Sequence, residues 1–445
     1  MGSAAVGHNA SMQPFPLADK ALLATQLDNM LACIRCGACL PVCPTYLLSG
    51  VEEEGPRGRI AMALALHEGY LQRVTPDFVE HEESCLLCDA CSSVCPSGVR
   101  MDLLGTTLRA AMARPRGWLE RRLRAVGFAL LADLRLLRAA RLLLRWSAPL
   151  RAIARGLGIL GVLGLADAEA LLPPLSAEPL VARGQRWRAA KMGKGRVNLF
   201  TGCVMSVVFA GVDRATARVL AAHRWEVTAT AGQGCCGSLH AHEGERERAR
   251  ALARRNIEAF ETDPEATVVV NAAGCGAMLK GYGQLLADDP AYAERALAFA
   301  RRVQDVSEFL AWQEPLEAVA SLDVTVTLQE PCHLAHAQRL REAPRALLRR
   351  LPGVTMREMA ESSVCCGSAG IYNMTHPVAS RSLGERKRRN AEATGAQMMV
   401  TANPGCQLQL GAMLKGSGMT VRHLVELLDE AYRAGGAYEG LESGA

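Results

Sequence analysis

Aromatic residues make up only 4% of this 445-residue chain, too few to build a stacking platform for single-stranded nucleic acid. Charge of one sign is equally scarce. Fifty Lys and Arg against 45 Asp and Glu leave a net +5, so bulk electrostatics gives no reason to expect a nucleic-acid partner. No uncharged apolar run reaches the ~18 residues that a spanning helix needs. Residues 1–20 show no basic patch leading into an apolar stretch and a small-residue cleavage site, so a secretory signal is not expected. A chain kept in the reducing cytoplasm does not build a disulfide framework. No G-x-G-x-x-G opens a strand–helix unit, so no flavin or other nucleotide is expected on this chain.

What is present is apolar substance and cysteine. At 49% apolar and 21% charged the chain buries real cores, and its length corresponds to about three domains of ~150 residues. Its sixteen cysteines fall into four groups of four. The first is Cys33, Cys36, Cys39 and Cys43, followed by Pro44, and the second is Cys85, Cys88, Cys91 and Cys95, followed by Pro96. Both read C-x2-C-x2-C-x3-C-P, the spacing of bacterial two-cluster ferredoxins. Three thiolates within seven residues let one loop wrap three irons of a cubane, and the fourth points at the other cluster. Cys33, Cys36, Cys39 and Cys95 are therefore assigned to one [4Fe-4S] cluster, and Cys85, Cys88, Cys91 and Cys43 to a second. A zinc ribbon uses two C-x2-C pairs and does not fit. Gly55-Pro56 reads as a helix start ahead of Arg57–Leu71, whose Arg57 and Arg59 face either solvent or a cluster.

The other eight cysteines form an internal repeat. Cys203, Cys235, Cys236 and Cys275 recur as Cys332, Cys365, Cys366 and Cys406, at offsets of 129, 130, 130 and 131 residues. A register held that closely means a duplicated unit. Each unit alternates strand and helix, with strands expected at 196–201, 226–231 and 267–271, then at 323–328, 354–359 and 397–401, and a helix over 204–223. That rhythm implies parallel sheets whose carboxyl ends carry the cysteines, the edge where open α/β sheets bind ligands. The retained spacing points to metal ligation: one or two further Fe–S clusters, with zinc as the lesser alternative. His333 and His336 beside Cys332, and His376, read as ordinary hydrogen-bonding histidines rather than ligands.

Between the two halves, residues 114–155 hold eleven arginines against Glu120 and Asp133. Arg135, Arg138, Arg141 and Arg145 recur three or four apart with leucines on the other side. Such a basic amphipathic helix suits an anionic lipid surface, or it packs on the protein or a partner. Residues 171–179 read as a linker.

The segments ACIRCGACLPVCPTY (32–46), GPRGRI (55–60), CLLCDACSSVCPSGVR (85–100), GCCG (234–237), GCGAMLKGYGQLL (274–286), PCHLAHAQRL (331–340), CCGSAGIYNMTHP (365–377) and TANPGCQLQL (401–410) resemble the iron–sulfur subunits of glycolate oxidase. The resemblance runs from about residue 31 to about 431. It implies an α+β multidomain chain: an N-terminal α-helical ferredoxin domain over 1–112, a basic helical region and linker over 113–194, and duplicated α/β CCG (cysteine-rich) units with parallel sheets over 195–320 and 321–436. It also implies a role. Such a cytoplasmic subunit takes electrons from FAD-containing glycolate oxidase subunits, which oxidise the substrate, and passes them toward the membrane quinone pool. No catalytic residue is then expected here. Rivals are the equivalent subunit of a D-lactate or anaerobic glycerol-3-phosphate dehydrogenase, a CCG-cluster disulfide reductase, and a structural zinc-bound docking module. The five-thiolate sites of disulfide reductases end in Cys-x-x-Cys, whereas Met278 and Gln409 occupy those positions here.

Overall fold

The structure is a computed structural model that describes residues 13–112, 117–159, 169, 172, 175, 178–188 and 193–443. Arg114, Arg116 and most of the 171–179 linker lie outside the described residues. The N-terminal part is helical, with Lys20–Ala24, Leu27–Leu31, Pro44–Ser49, Pro56–Glu68, Pro76–Glu83, Ala90–Val94 and Met101–Met112. Leu23, Met30, Ile60, Leu66, Phe78, Leu104 and Leu108 close its core. The helix expected over 57–71 starts at Pro56, whose missing N–H costs nothing in a first turn. It ends at Glu68, because Gly69 takes the left-handed conformation that only glycine adopts cheaply.

Among the described residues the arginine-rich segment forms the helices Trp118–Ala132, Leu134–Trp146 and Ala148–Gly156, the second being the basic helix expected around Arg135, Arg138, Arg141 and Arg145. Asp133 ends the first and caps the second by accepting from the Arg135 N–H at 2.8 Å, and Pro149 fits only the first turn of the third. Ala132, Leu134 and Leu137 pack against Cys203, Cys235 and Leu252. The opposite face leaves Trp118, Leu143, Trp146, Leu150 and Leu157 exposed. Among the described residues no helix is long and apolar enough to cross a membrane.

The described residues of the second half include the strands β1 (Gln185–Arg188), β2 (Gly195–Phe200), β3 (Trp225–Ala229), β4 (Thr267–Val270), β5 (Val303–Asp305), β6 (Val324–Leu328), β7 (Val354–Met356), β8 (Met398–Thr401), β9 (Thr420–His423) and β10 (Glu442–Ser443). They form two sheets, ordered β10-β1-β3-β2-β4-β5 and β7-β6-β8-β9. Strands β2 to β5 pair in parallel, as do β6 to β9, and both quartets share the spatial order second-first-third-fourth. The duplication is thus one of topology as well as spacing. The antiparallel strand β1 and the edge strand β10 beside it belong only to the first sheet. The helix expected over 204–223 breaks at Phe209 into Val204–Val208 and Ala210–Ala222. Met205, Ser206 and Val207 are all buried, which a straight helix with one apolar face cannot arrange.

The two units share a single core that includes Val197, Leu199, Val326, Leu328, Val400 and Leu424. Arg218 pairs with Asp429 through two bonds of 2.8 and 2.9 Å, and His423 Nε2 donates to the Asn271 carbonyl at 2.8 Å. The helical domain docks onto the carboxyl edges of both sheets. Arg109 donates to the carbonyls of Glu82 (2.9 Å), Cys85 (2.6 Å) and, across the junction, His242 (2.8 Å). Gly244, at φ +78°, lets the chain pass this helix: a Cβ there would stand 2.7 Å from the Arg109 carbonyl oxygen.

Candidate iron–sulfur centres

Each N-terminal cysteine motif is a loop turned by two left-handed residues at matching places. Arg35 (φ 56°) and Gly37 (φ 84°) turn the first, and Leu87 (φ 49°) and Asp89 (φ 64°) the second. These conformations disfavour side chains bearing a Cβ, so the loops spend strain to curl around a centre. The Leu87 N–H, aimed inward by that turn, donates to Cys85 Sγ at 3.5 Å. Cys43 precedes the helix Pro44–Ser49 and Cys95 follows the helix Ala90–Val94, so each fourth cysteine leaves its own loop. One recess is lined by Cys33, Cys36, Cys39 and Cys95, together with Arg57 and Cys91. Its neighbour is lined by Cys43, Cys85, Cys88 and Cys91.

Arg59 backs the second recess. It is 1% exposed and donates to the His81 carbonyl (2.8 Å), Thr45 Oγ1 (3.2 Å), Ser84 Oγ (2.7 Å) and Glu54 Oε2 (2.9 Å). Thr45 Oγ1 in turn lies 3.3 Å from Cys43 Sγ. Burial works against the guanidinium charge, but Cys85, Glu82, Cys43 and Glu54 together push its pKa up. Burial also raises the Cys88 and Cys91 thiols well above their ordinary value.

The eight cysteines of the repeat gather as two quartets on the sheets' carboxyl edges. In the first unit, thiol–thiol contacts run from Cys203 to Cys235, Cys236 and Cys275. In the second, Cys332 and Cys365 lie 4.0 Å apart and Cys366 and Cys406 3.4 Å apart, too far for disulfides. Second contacts reach the sulfurs: Gly237 N–H donates to Cys235 (3.4 Å) and Asn403 Nδ2 to Cys406 (3.5 Å). Asn403 Oδ1 also accepts from Gly274 N–H at 3.1 Å, tying the two quartets' loops together. Gln409, at the place of a fifth thiolate, is committed elsewhere, donating to Ser380 Oγ at 3.0 Å and accepting from Asn373 at 3.3 Å.

The second quartet abuts the second N-terminal recess. Cys88, Leu86, Cys365 and Tyr372 share one cluster with Cys332. His333 Nε2 donates to the Leu87 carbonyl (2.9 Å), and His336, donating to Ser363 O at 3.0 Å, lies 3.1 Å from Ser93 Oγ. These histidines stitch the domains together with ordinary hydrogen bonds. They stand on a wide helical turn, His333–Ala337, a local geometry common at functional sites. Tyr372 lies between the two thiol groups. Its pKa is raised by burial first and then by Glu54, Cys85 and Cys365, and its buried hydroxyl has no partner among the described residues.

Clustered soft donors, buried thiols disfavoured as free thiolates, inward N–H groups and an orphaned hydroxyl at the junction fit thiolate-held Fe–S clusters. Tyr372, Arg109, Asn403 and Lys387, whose ammonium lies beside the second quartet, were not visible from cysteine spacing. Reading the repeat in register outside its cysteines is the signal that would have found Lys387.

Residues 29–99 match the 4Fe-4S dicluster domain family, and residues 197–280 and 326–411 each match the cysteine-rich CCG domain family. A dicluster ferredoxin joined to a duplicated cysteine-rich α/β domain defines an iron–sulfur protein of the multi-centre electron-transfer class. Over 420 residues the chain is 38% identical to the probable glycolate oxidase iron–sulfur subunit of Bacillus subtilis (strain 168), covering 91% of this chain and 94% of that one. Over 418 residues it is 36% identical to the glycolate oxidase iron–sulfur subunit of Escherichia coli (strain K12), covering 92% and 96%. The chain belongs to the glycolate oxidase iron–sulfur subunit family. Lactate utilization protein A of Shouchella clausii is 31% identical over 236 residues, 52% of this chain and 98% of that one. A crystal structure of a hypothetical protein from Helicobacter pylori shares the fold, with a TM-score of 0.52 at 8% identity over 97% of this chain and 83% of that one.

Replacing Arg59 by Met removes the buried guanidinium's bonds to the half-buried Glu54 carboxylate and three further acceptors, a loss expected to cost about 3–5 kcal/mol. Thermal unfolding should show a marked drop for Arg59→Met. Arg59→Lys should recover only part of it, because an ammonium cannot span all four acceptors. Full recovery with Lys would contradict the network's geometry.

Proposed function

We propose that this chain is the electron-transfer subunit of a flavin-dependent glycolate (2-hydroxyacid) oxidase, carrying electrons from FAD-containing partner subunits toward quinone. Substrate oxidation belongs to those partners, and no flavin sits on this chain. Cys33, Cys36, Cys39 and Cys95 hold one [4Fe-4S] cluster, and Cys85, Cys88, Cys91 and Cys43 the other. One or two further clusters use Cys203, Cys235, Cys236 and Cys275, and Cys332, Cys365, Cys366 and Cys406. Bound clusters supply one-electron storage and transfer, at potentials set by hydrogen bonds, charge and burial. The protein's part is to hold them in a row and exclude water between them.

The observation that carries this reading is the crossed lining of the two N-terminal recesses together with the contact of the second recess with Cys332. Three thiol groups are thereby consecutive neighbours. The first recess opens beside the exposed Cys36, Leu31 and Ile34, which suits exchange with a partner at that end. The full-length likeness to glycolate oxidase subunits favours glycolate among the 2-hydroxyacid donors. The exposed tryptophans and leucines of residues 118–157, set among arginines, suit the headgroup region of an anionic membrane at the cytoplasmic face, where the quinone acceptor is dissolved.

Iron, acid-labile sulfide and zinc on anaerobically purified protein test the cofactor content. The expected result is about 12 to 16 iron with matching sulfide and no stoichiometric zinc. About 8 iron, with zinc or nothing in the repeat, would end the extended row. The assembled flavoprotein complex should float with anionic liposomes, and Trp146→Glu with Leu150→Glu should abolish flotation while leaving the iron content unchanged. Flotation unaffected by that pair would place the membrane contact elsewhere.

A further inference from the structure

The two cysteine quartets are near-copies in spacing, yet one buried position differs in charge. Gly237 and Gly367, both left-handed at φ +87° and +86°, follow the cysteine pairs of the two units. Each lies against the backbone of the next long helix, at Ala249 in the first unit and Ser380 in the second. Those contacts align the helices Arg246–Phe260 and Pro377–Glu392 at an offset of 131 (380 less 249). At the same offset (387 less 256) Asn256 corresponds to Lys387.

Both residues brace the loop that presents the cysteine pair, by different means. Asn256 accepts from Gly234 N–H at 2.8 Å and donates to the Cys235 carbonyl at 2.9 Å, with Tyr282 Oη 3.0 Å away. It is neutral and fully committed. Lys387 is 2% exposed and donates to the carbonyls of Glu361 (2.6 Å) and Ser362 (3.0 Å), just ahead of Cys365 and Cys366. Among the described residues no carboxylate hydrogen-bonds to its ammonium, which retains a third N–H. Burial pushes the Lys387 pKa down, while Cys366, Cys365, Cys406 and, last, the Glu361 carboxylate oppose that fall. A buried ammonium with no carboxylate bonded to it is costly. Carbonyls alone could be satisfied by a neutral amide, as the first unit demonstrates.

We propose that Lys387 is the built-in counter-charge of an Fe–S cluster held by Cys332, Cys365, Cys366 and Cys406, and that it makes the second unit the higher-potential half of the duplicated domain. This rests on the reading above that the second quartet holds a cluster. Four thiolates make such a centre net negative, and one-electron reduction adds a further negative charge. A fixed cation in a low-dielectric pocket therefore favours the reduced form more than the oxidised one. The first unit, with Asn256 in the matching place, lacks that bias. The second unit is also the one that abuts the ferredoxin recess through Cys332 and Cys88. The tuned site is thus the one next in the row, poised to draw electrons from the ferredoxin domain. Lys387 is a positioning and tuning residue, since no bond to a sulfur is involved.

The test is an EPR-monitored redox titration of the full chain, with iron and sulfide counted, for wild type, Lys387→Gln and Lys387→Arg. Gln keeps an N–H donor for the carbonyls and removes the charge; Arg keeps the charge. With iron retained, the midpoint of one cluster in Lys387→Gln should fall by at least a tenfold change in its reduction equilibrium, 59 mV for one electron. The other midpoints should stay in place, and Arg should hold the wild-type value. Should Gln instead lose about four irons while circular dichroism shows a folded chain and Arg keeps them, the charge is needed to hold the cluster, which supports the proposal. Unmoved midpoints in Lys387→Gln with full iron would overturn it. So would equal iron loss in Gln and Arg, which marks a carbonyl clamp and nothing more. A wild-type count of about 8 iron would remove the second-unit cluster itself, a failure read before any variant is made.

Discussion

Buried thiols are easy to keep neutral and hard to keep ionised, and that tension organises this molecule. A thiolate cluster needs four ionised sulfurs in one place, but burial pushes thiols such as Cys88 and Cys91 well above their ordinary pKa. Bound iron would supply most of the compensating charge, and the chain supplies the rest locally. Inward backbone N–H groups at Leu87 and Gly237 meet sulfur directly. Arg59 stands behind the second ferredoxin recess, and Lys387 stands beside the second quartet of the repeat. The helices, the sheets and the junctions between domains place these groups.

Neither N-terminal recess is complete without cysteines from both loops: Cys95 lines the first and Cys43 the second. The junction with the repeat is built in the same manner. Arg109 clamps carbonyls on both sides of it, Gly244 allows the close approach, and His333 and His336 pin the second cysteine loop to the second unit. Such rigid docking keeps neighbouring centres at fixed separation, the requirement for tunnelling between them.

Much of this was legible in the sequence because cysteine spacing is a geometric instruction. The C-x2-C-x2-C-x3-C-P runs and the 129-to-131-residue offsets fix how many thiol groups exist and which strands carry them, and the strand positions follow within a few residues. The break at Phe209 and the return of β10 to the first sheet were hidden. Each depends on tertiary burial that periodicity does not report. Arg59 was read as equally suited to solvent or cluster, and only its four buried acceptors decide the matter. The difference between Asn256 and Lys387 was hidden for another reason: the repeat is visible through residues that stay the same, whereas this is one that changed.

Anomalous diffraction at the iron edge, from crystals grown without oxygen, tests the central claim most directly. The account predicts one iron centre enclosed by Cys33, Cys36, Cys39 and Cys95, a second by Cys85, Cys88, Cys91 and Cys43, and a third beside Lys387 at Cys332, Cys365, Cys366 and Cys406. A centre held by the four cysteines of a single N-terminal motif, or an iron-free second unit, would contradict it.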